Sequence, residues 1–272
     1  MNDMTLIIGA NGKTGGRVKA QLTARGIPVR AVSRSTEIPF DWNRPETWKA
    51  ALAGVTRAYV SYQPDLAVEG ADEAIAHLAK LALDAGMKQM VLLSGRGEPG
   101  AQRAEAALWE SGLPWSVVRA SWFNQNFSEG YLLGSILDGE LALPAGPVPE
   151  PFIDAGDIAD VAVATLTDPR HLNRLYEVTG PRALTFAEAV DAISRAAGRT
   201  IRFREVSAAD FAASMEGHAP QEVIDLLLDL FTVVLDGRNS AVADGVQTAL
   251  NRPPRDFAVY AAEMAASGVW KV

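Results

Sequence analysis

The sequence predicts an α/β protein built on a doubly wound parallel sheet. Short apolar segments alternate along the chain with longer segments of helical periodicity, and a glycine often closes the helical segment. A glycine-rich turn joins the first apolar segment to the first helical one. Because parallel strands need crossover connections between them, this alternation predicts a parallel sheet with helices on both faces.

The first unit reads as a strand, a glycine turn, a helix and a second strand. Residues 4–8 form a short apolar run typical of a buried parallel strand. Three glycines follow at three-residue spacing: Gly9, Gly12 and Gly15. Helical periodicity covers residues 14–25, and residues 29–33 form the next strand. A helix that begins in such a turn stabilises a bound pyrophosphate, which a side chain at Gly12 would keep away. The motif therefore predicts a dinucleotide-binding Rossmann fold.

The end of the second strand predicts which dinucleotide is bound. NAD-binding proteins usually carry Asp or Glu there, which holds the ribose 2′-hydroxyl. Here the sequence reads Ser33-Arg34, and a guanidinium forms paired hydrogen bonds with a 2′-phosphate. We therefore expect NADP(H) to be preferred over NAD(H). The alternatives are that Arg34 is a solvated surface residue, or that the nearby Glu37 or Asp41 reaches the ribose.

The alternation of strands and helices continues through the first half of the chain. Strands are predicted at 57–61, 89–94 and 115–119, and helices at 66–85 and 102–111. Prolines concentrate between residues 138 and 151, which indicates a loop-rich junction. We expect a Rossmann core over residues 1–140, with residues 152–180 packing back on it. Residues 181–272 would form a smaller, mainly helical region on the substrate side.

Capping residues mark the helices beyond this junction. They are Asp157 before one helix, Thr185 with Glu188 before a second, and Ser207 with Asp210 before a third. Asp154, Asp157 and Asp160 follow one another at three-residue spacing, which could indicate a metal site. Capping and helix-dipole stabilisation explain these carboxylates more simply, so we expect no bound metal.

Composition excludes several classes of function. The chain of 272 residues has no cysteine, which excludes disulfides and thiolate chemistry, and only three histidines, which are far apart. Its formal net charge is -8, which disfavours nucleic-acid binding. The apolar segment at 223–235 is too short to span a bilayer, and the N-terminal residues lack the pattern of a signal peptide. We therefore expect a soluble cytoplasmic protein that does not bind membranes.

Several longer segments resemble the NmrA-like family of atypical short-chain dehydrogenases. The segments are IIGANGKTGGRV near the start, VRAVSR at 29–34, SGLPWSVVRASWFNQNF at 111–127, FIDAGDIADVA at 152–162 and LYEVTGPRALTFAEA at 175–189. The GxxGxxG spacing is also the variant that short-chain dehydrogenases use. Within the family, the chain is most similar to the branch that contains festuclavine and agroclavine dehydrogenases and NADPH-dependent quinone reductases.

The resemblance implies a set of site residues. The residues implied around the pyrophosphate are Gly9, Asn11, Gly12, Lys13, Thr14 and Gly15. Ser33 and Arg34 would hold the 2′-phosphate, and Asp41 and Trp42 would lie near the adenine. The residues implied under the ribose and nicotinamide are Ser61, Tyr62, Gln63 and Ser94. Trp122, Phe123 and Asn126 would border the substrate pocket, although Trp122 and Phe123 could equally be ordinary core residues.

The chain lacks the Tyr-x-x-x-Lys pair with which conventional short-chain dehydrogenases protonate an alkoxide. The residues four positions after the five tyrosines are Gln63, Leu66, Ser135, Gly180 and Met264. Tyr62, which follows a predicted strand, and Ser94, the last residue of the strand predicted at 89–94, remain as candidates for a catalytic role. An ordinary alcohol dehydrogenase mechanism is therefore not expected.

Two explanations of the missing pair remain. In the first, an NADP(H)-dependent oxidoreductase transfers hydride to a small apolar electrophile, such as an iminium ion, a quinone or a carbonyl, that needs little acid assistance. In the second, the protein is a redox sensor without catalysis that binds NADP(H) and acts through a protein partner. The aromatic residues after the strand at 115–119 favour the reductase. The sequence leaves the oligomeric state open between a monomer and a homodimer.

Overall fold

A computed structural model describes residues 3–272. The strands are β1 (Thr5–Ile8), β2 (Val29–Val32), β3 (Arg57–Val60), β4 (Gln89–Gly95), β5 (Trp115–Ala120), β6 (Glu140–Leu143), β7 (Arg174–Val178) and β8 (Arg202–Glu205). The helices are α1 (Lys13–Ala24), α2 (Trp48–Leu52), α3 (Ala71–Asp84), α4 (Pro99–Glu110), α5 (Leu132–Asp138), α6 (Ala155–Thr167), α7 (Phe186–Ala197), α8 (Ala208–Met215), α9 (Gln221–Asp229), α10 (Gly245–Leu250) and α11 (Phe257–Ser267). A π-helical turn, Leu230–Val234, follows α9.

Six of the strands form one parallel sheet in the order β2-β1-β3-β4-β5-β7. Ile8 at the end of β1 pairs with Val32 of β2 on one side and Val60 of β3 on the other. The carboxyl ends of these three strands therefore lie side by side. The strand order changes direction between β1 and β3, and in open α/β sheets such a switch point is where ligands bind. The predicted α/β Rossmann-type sheet is confirmed.

Helices cover both faces of this sheet. Successive strand residues point to opposite faces, and Leu6, Ile7 and Ile8 of β1 are all buried. Leu6 and Ile8 belong to a core with side chains of α2, α3 and α4, whereas α1 packs against α6. A strand buried on both sides reads as a continuous apolar run, which is why the sequence revealed these strands.

Three predicted helix boundaries are wrong. The helix predicted to be capped by Asp157 begins at Ala155, so Asp157 lies in the first turn of α6. The helix predicted from residue 66 begins only at Ala71, because Gly70 has a positive φ of 79° and residues 65–70 form a loop. The helix predicted from residue 102 begins at Pro99, whose ring suits the first helical position. The loop before α3 and the start of α4 thereby become part of the carboxyl edge of the sheet.

The chain divides into two compact units. The first contains residues 3–120 together with Ala155–Val178 and Asp244–Arg252, and thus the whole six-stranded sheet. The second contains Ser121–Asp154, Thr179–Ala243 and Pro253–Val272, with the two-stranded sheet of β6 and β8. The predicted division differs, since it assigned residues 121–140 to the core and residues 244–252 to the C-terminal region. The functional role of that region stays a prediction.

The second unit is mainly helical and has an aromatic core. Phe152, Phe186 and Phe257 surround the ring of Phe127 at centroid distances of 5.6 to 5.9 Å. The predicted capping box before α7 is present, with the Glu188 amide donating to the Thr185 hydroxyl. These short-range signals are local in sequence and were therefore readable from it.

The carboxylates that invited a metal interpretation have another partner. Arg252, two residues beyond the end of α10, donates to Asp157 at 2.7 Å and to Asp160 at 2.5 Å, which ties the end of this segment to α6 inside the first unit. Within residues 3–272, no group of three or more His, Asp or Glu side chains is arranged to hold a metal ion. Over the same residues, every helix is too short or too polar to cross a bilayer.

Candidate nucleotide-binding site

A pocket of about 580 Å³ opens at the carboxyl ends of β1, β2 and β3. Its position is the switch point of the sheet, where the crossover connections leave in opposite directions. The predicted cofactor residues that line it are Gly9, Asn11, Gly12, Ser33, Arg34, Asp41, Trp42, Ser61 and Gln63. The fold thus brings residues from three separate loops into one pocket.

The floor of the pocket is the part of the glycine turn that precedes α1, residues 9–12. Gly9 has a φ of 83°, and a Cβ atom there would lie 2.9 Å from the Cβ of Ser61. A Cβ on Gly15 would lie 2.2 Å from the carbonyl oxygen of Gly9, closer than any real contact allows. The first turn of α1 therefore lies directly on the turn. Gly12 is the N-cap of α1 and offers no side chain to its amides, which leaves the site open to an anion.

Side chains build the other end of the pocket. Arg34 is exposed, and no carboxylate in residues 3–272 forms an ion pair with its guanidinium. Asp41 is held by its backbone, since its carbonyl accepts a 2.8 Å hydrogen bond from the Trp48 indole. The Trp42 ring is wedged among Phe40, Trp48 and Tyr62 at centroid distances of 4.4 to 5.6 Å. An open cation beside a fixed aromatic ring suits a phosphorylated ribose and a base.

Three predicted phosphate-binding residues lie in the first turn of α1, outside the pocket lining. They are Lys13, Thr14 and Gly15. Thr14 is buried, and its hydroxyl accepts a 2.9 Å hydrogen bond from the hydroxyl of Tyr59 on β3. The side chain of Thr14 therefore anchors the helix start to the sheet.

The two candidates for a catalytic role are engaged elsewhere. Ser94 is buried, and its hydroxyl donates a 2.6 Å hydrogen bond to Glu105 of α4. Arg119 of β5 also donates to both oxygens of that carboxylate, at 2.9 and 2.5 Å. Tyr62 packs on Trp42, and partial burial raises the pKa of its hydroxyl. These contacts give Ser94 and Tyr62 packing and positioning tasks, and their catalytic roles stay predictions.

The predicted substrate-pocket residues lie in the second unit. Trp122 packs in its aromatic core, 5.3 Å from Phe186 and 5.1 Å from Phe231. Phe123 forms an isolated β-bridge with Ile153. Asn126 is partly exposed in a short 3₁₀ helix, Asn124–Phe127. The predicted role of Trp122, Phe123 and Asn126 in substrate binding stays a prediction.

The same segment contains two buried polar residues that no sequence pattern indicated. Ser121 and Asn124 are 3% and 0% exposed, and neither side chain has a hydrogen-bond partner among the described residues. A buried polar group without a partner costs about 1–3 kcal/mol, so such groups usually meet a water molecule or a ligand. The sequence did not indicate that these residues are buried, because burial outside regular helices and strands follows no periodic pattern.

A second feature that the sequence analysis missed is a pair of carboxyl groups at the sheet edge. Asp65 follows Pro64, which lines the pocket, and its side chain is hydrogen-bonded to that of Glu98 at the start of α4. Burial raises the pKa of Glu98 well above its ordinary value, and the charge of Asp65 raises it further. The only signal in the sequence is the presence of Gly95 before Glu98 and of Gly100 after it, and no prediction was based on these two glycines.

Comparison with known proteins gives relatives that match almost the whole chain. An NAD(P)H azoreductase of Xenophilus azovorans is 31% identical, over 97% of this chain and 99% of that protein. A (4-alkanoyl-5-oxo-2,5-dihydrofuran-3-yl)methyl phosphate reductase of Streptomyces griseus is 30% identical, over 96% and 98%. The agroclavine dehydrogenase of Claviceps fusiformis is 25% identical, over 95% and 96%.

Solved structures with the same fold include reductases and a regulator. The triphenylmethane reductase of Citrobacter sp., complexed with NADP(H), has a TM-score of 0.81 at 21% identity, covering 96% of this chain and 99% of that one. An NADPH-dependent quinone oxidoreductase of Escherichia coli, complexed with NADPH, has a TM-score of 0.80 at 20% identity, covering 96% and 99%. The negative transcriptional regulator NmrA, in complex with NADP, has a TM-score of 0.75 at 18% identity, covering 98% and 97%.

Two family models match the chain. The model of the NAD(P)H-binding family matches residues 9–169, which include the glycine turn and every residue that lines the pocket except Ile8. The model of the NmrA-like family matches residues 102–257, more than half of the chain. The predicted family is therefore confirmed: the chain belongs to the NmrA-like family and, with the reductases and dehydrogenases among its relatives, to the NAD(P)H-dependent oxidoreductases.

Proposed function

We propose that the protein is an NADP(H)-dependent reductase that transfers hydride to a small apolar electrophile. The observation that carries the cofactor preference is Arg34, an exposed guanidinium without an ion-pair partner in residues 3–272 that lines the nucleotide pocket. A 2′-phosphate would give this cation the bidentate partner that it lacks. A 2′-hydroxyl would leave it facing water.

The residues of the pocket fit an NADP(H) molecule. The glycine turn leaves no room for a Cβ at Gly15, so α1 packs directly on the turn, and Gly12 has no side chain to keep a pyrophosphate away from the helix amides. Ser33 and Arg34 would hold the 2′-phosphate, and Asp41 and Trp42 would lie beside the adenine. Ser61 and Gln63 would orient the far ribose. When bound, the cofactor supplies a hydride, and the protein's task is to orient it and exclude water.

The acceptor is inferred from the chain's lack of a Tyr-x-x-x-Lys pair and from its relatives. Iminium ions, quinones and conjugated carbonyls accept hydride without a strong acid beside them. The azo group belongs with them, because an NAD(P)H azoreductase is the relative with 31% identity. The shared property is a flat, electron-poor π-system.

A second candidate function is a redox sensor that binds NADP(H) without turnover. Ser94 favours this alternative, because its buried hydroxyl already donates to Glu105 and has no proton left for a substrate. The similarity in fold to a transcriptional regulator is consistent with it. A sensor would bind NADP(H) selectively but consume none.

The experiment that tests the proposal combines binding with turnover. Calorimetric titration of the purified protein should give tighter binding for NADPH than for NADH. NADPH oxidation should then be followed with a panel of quinones, cyclic imines and azo compounds. Selective binding with turnover supports the reductase, and selective binding without turnover across the panel supports the sensor. If neither NADPH nor NADH bound, the reductase and the sensor would both be contradicted.

A further inference from the structure

The carboxyl pair of Asp65 and Glu98, here called the acid pair, lies at the sheet edge that forms the nucleotide pocket. Asp65 is the next residue after Pro64, which lines the pocket. Glu98 is three residues beyond Gly95, the last residue of β4. Because β3 and β4 are neighbouring parallel strands, the loops that carry the two carboxyl groups leave the same edge of the sheet side by side.

Two glycines make the contact between these loops. A Cβ on Gly95 would lie 2.2 to 2.3 Å from the carboxyl atoms of Glu98, so the carboxyl group rests directly on the Gly95 backbone. A Cβ on Gly100 would lie 2.2 Å from the carbonyl oxygen of Ala67, so the start of α4 rests on the loop that contains Asp65. Both glycines have negative φ, so the backbone conformation does not require glycine at these positions. The close packing around Glu98 does require it.

The side chain of Glu98 does not cap the helix that follows it. Glu98 is the N-cap residue of α4, yet its side chain forms no capping hydrogen bond. The side chain turns back instead to Gly95 and to the Asp65 carboxyl group. Asp65 is fixed in turn, because its Oδ1 accepts a 2.8 Å hydrogen bond from the amide of Ala67.

Two carboxyl groups that hydrogen-bond to each other must share a proton, because a carboxylate has no hydrogen to donate. The surroundings assign that proton to Glu98, since burial and then the Asp65 charge raise its pKa well above the ordinary value. Glu105 adds negative charge from α4, but its carboxylate is neutralised by Arg119 of β5. The result is a partly exposed carboxylic acid whose pKa lies well above the ordinary value of a glutamate.

We propose that Glu98 is the proton donor of the reduction and that Asp65 holds it in place, an inference that rests on the proposed function. The acceptor gains a hydride at one atom of its double bond, and the π-electron pair moves to the other atom. That second atom takes the Glu98 proton, which leaves a carboxylate that water reprotonates, while NADPH is oxidised to NADP⁺. Glu98 would therefore supply the proton that the neutral acceptors of the proposed class need in addition to a hydride.

The test compares a neutral acceptor with a cationic one. A quinone or azo compound needs the proton, whereas a preformed iminium or triarylmethyl cation needs only the hydride. Glu98→Gln should lower kcat for the neutral acceptor on the order of 10²- to 10⁴-fold, the range of general acid catalysis, and should leave kcat for the cation unchanged. Glu110→Gln, at the exposed end of the same helix, is the matched control and should change neither.

Asp65 is a positioning residue and has its own signature. A general acid works only while protonated, so kcat for the neutral acceptor should fall as the pH rises through the pKa of Glu98. Asp65→Asn removes the charge that raises this pKa, so the fall should move to lower pH. The Glu98 carboxyl signal in a carbon-13 NMR titration of the cofactor-free protein should move in the same direction, without any turnover.

The outcomes separate this inference from the function on which it rests. Equal effects of Glu98→Gln on both acceptors would overturn the proton donor, as would an NMR titration of Glu98 in the ordinary range of a glutamate. Either result beside normal wild-type turnover leaves the proposed reductase intact. No wild-type turnover with either acceptor would overturn the reductase and the proton donor together. Loss of NADPH affinity or of thermal stability in the Glu98 variant would reveal a misfolded protein. The NMR titration of Glu98 in the wild-type protein would then decide whether Glu98 is the proton donor.

Discussion

Backbone atoms form one end of the nucleotide pocket, and side chains form the other. At the end formed by the glycine turn, backbone atoms make the surface, and contact distances leave no room for a side chain at Gly15. At the other end, Arg34 is an exposed side chain, and its neighbours can adapt around it. The first end should recognise what all dinucleotides share, whereas the second should distinguish one dinucleotide from another.

The largest expected effect is at the backbone end. Gly15→Ala places a methyl group 2.2 Å from the carbonyl oxygen of Gly9, and the turn must move. We expect NADPH and NADH to lose affinity equally, on the order of 100-fold or about 2.8 kcal/mol, measured by calorimetry. Overpacking should also lower the free energy of unfolding by about 1–3 kcal/mol.

The neighbouring Gly16 provides the control for this substitution. A Cβ there would lie 3.5 Å from the carbonyl oxygen of Ala10, an ordinary contact. Gly16→Ala should keep both affinities and should stabilise the helix by about 0.5–1 kcal/mol, because alanine suits a helix interior better than glycine. Equal losses at positions 15 and 16 would show that the helix as a whole, and not the contact with Gly9, decides binding.

A smaller effect, and a selective one, is expected at the side-chain end. Arg34→Ala should weaken NADPH binding by about 1–3 kcal/mol, roughly fivefold to 150-fold, and should leave NADH binding within about twofold. The ratio of the two dissociation constants is the quantity to measure. Arg44→Ala is the control, because Arg44 lies outside the pocket and pairs with Glu46 at the surface. A loss that is the same for both nucleotides would remove Arg34 from the 2′-phosphate.

The same contrast explains what the sequence could and could not reveal. The glycine turn was predictable because the backbone conformation and the close contacts at Gly9 and Gly15 require glycine, and because the strand before it is buried on both faces. The acid pair was not predictable, because Asp65 and Glu98 are far apart in sequence. The pairing of β3 with β4 and the packing of Gly100 on Ala67 bring the two loops together.

Helix boundaries failed for a related reason. Residues 65–70 continue the apolar pattern of α3, so periodicity alone extends the helix through them. The tertiary contact at Ala67 and the left-handed conformation of Gly70 override that pattern. The residues where local propensity failed are those that present Asp65 at the sheet edge, which agrees with the view that functional loops depart from local preference.

The smallest expected effect concerns the anchor beneath the glycine turn. Tyr59→Phe removes the 2.9 Å hydrogen bond to the Thr14 hydroxyl, and both residues are buried. We expect the free energy of unfolding to fall by about 1 kcal/mol, since one buried hydrogen bond is lost. Because Thr14 lies in the first turn of α1, NADPH and NADH should both bind less tightly, by roughly threefold or about 0.7 kcal/mol.

A second buried tyrosine separates the two consequences of that change. Tyr260 of α11 donates a 2.8 Å hydrogen bond to Ser128 in the second unit, so Tyr260→Phe removes a bond of the same kind away from the turn. Denaturant unfolding should give a similar loss of stability for both variants. Only Tyr59→Phe should also change nucleotide affinity. If the two variants bound NADPH equally well, the hydroxyl of Thr14 would serve stability alone, and the turn would hold its shape through its glycine contacts without help from the sheet.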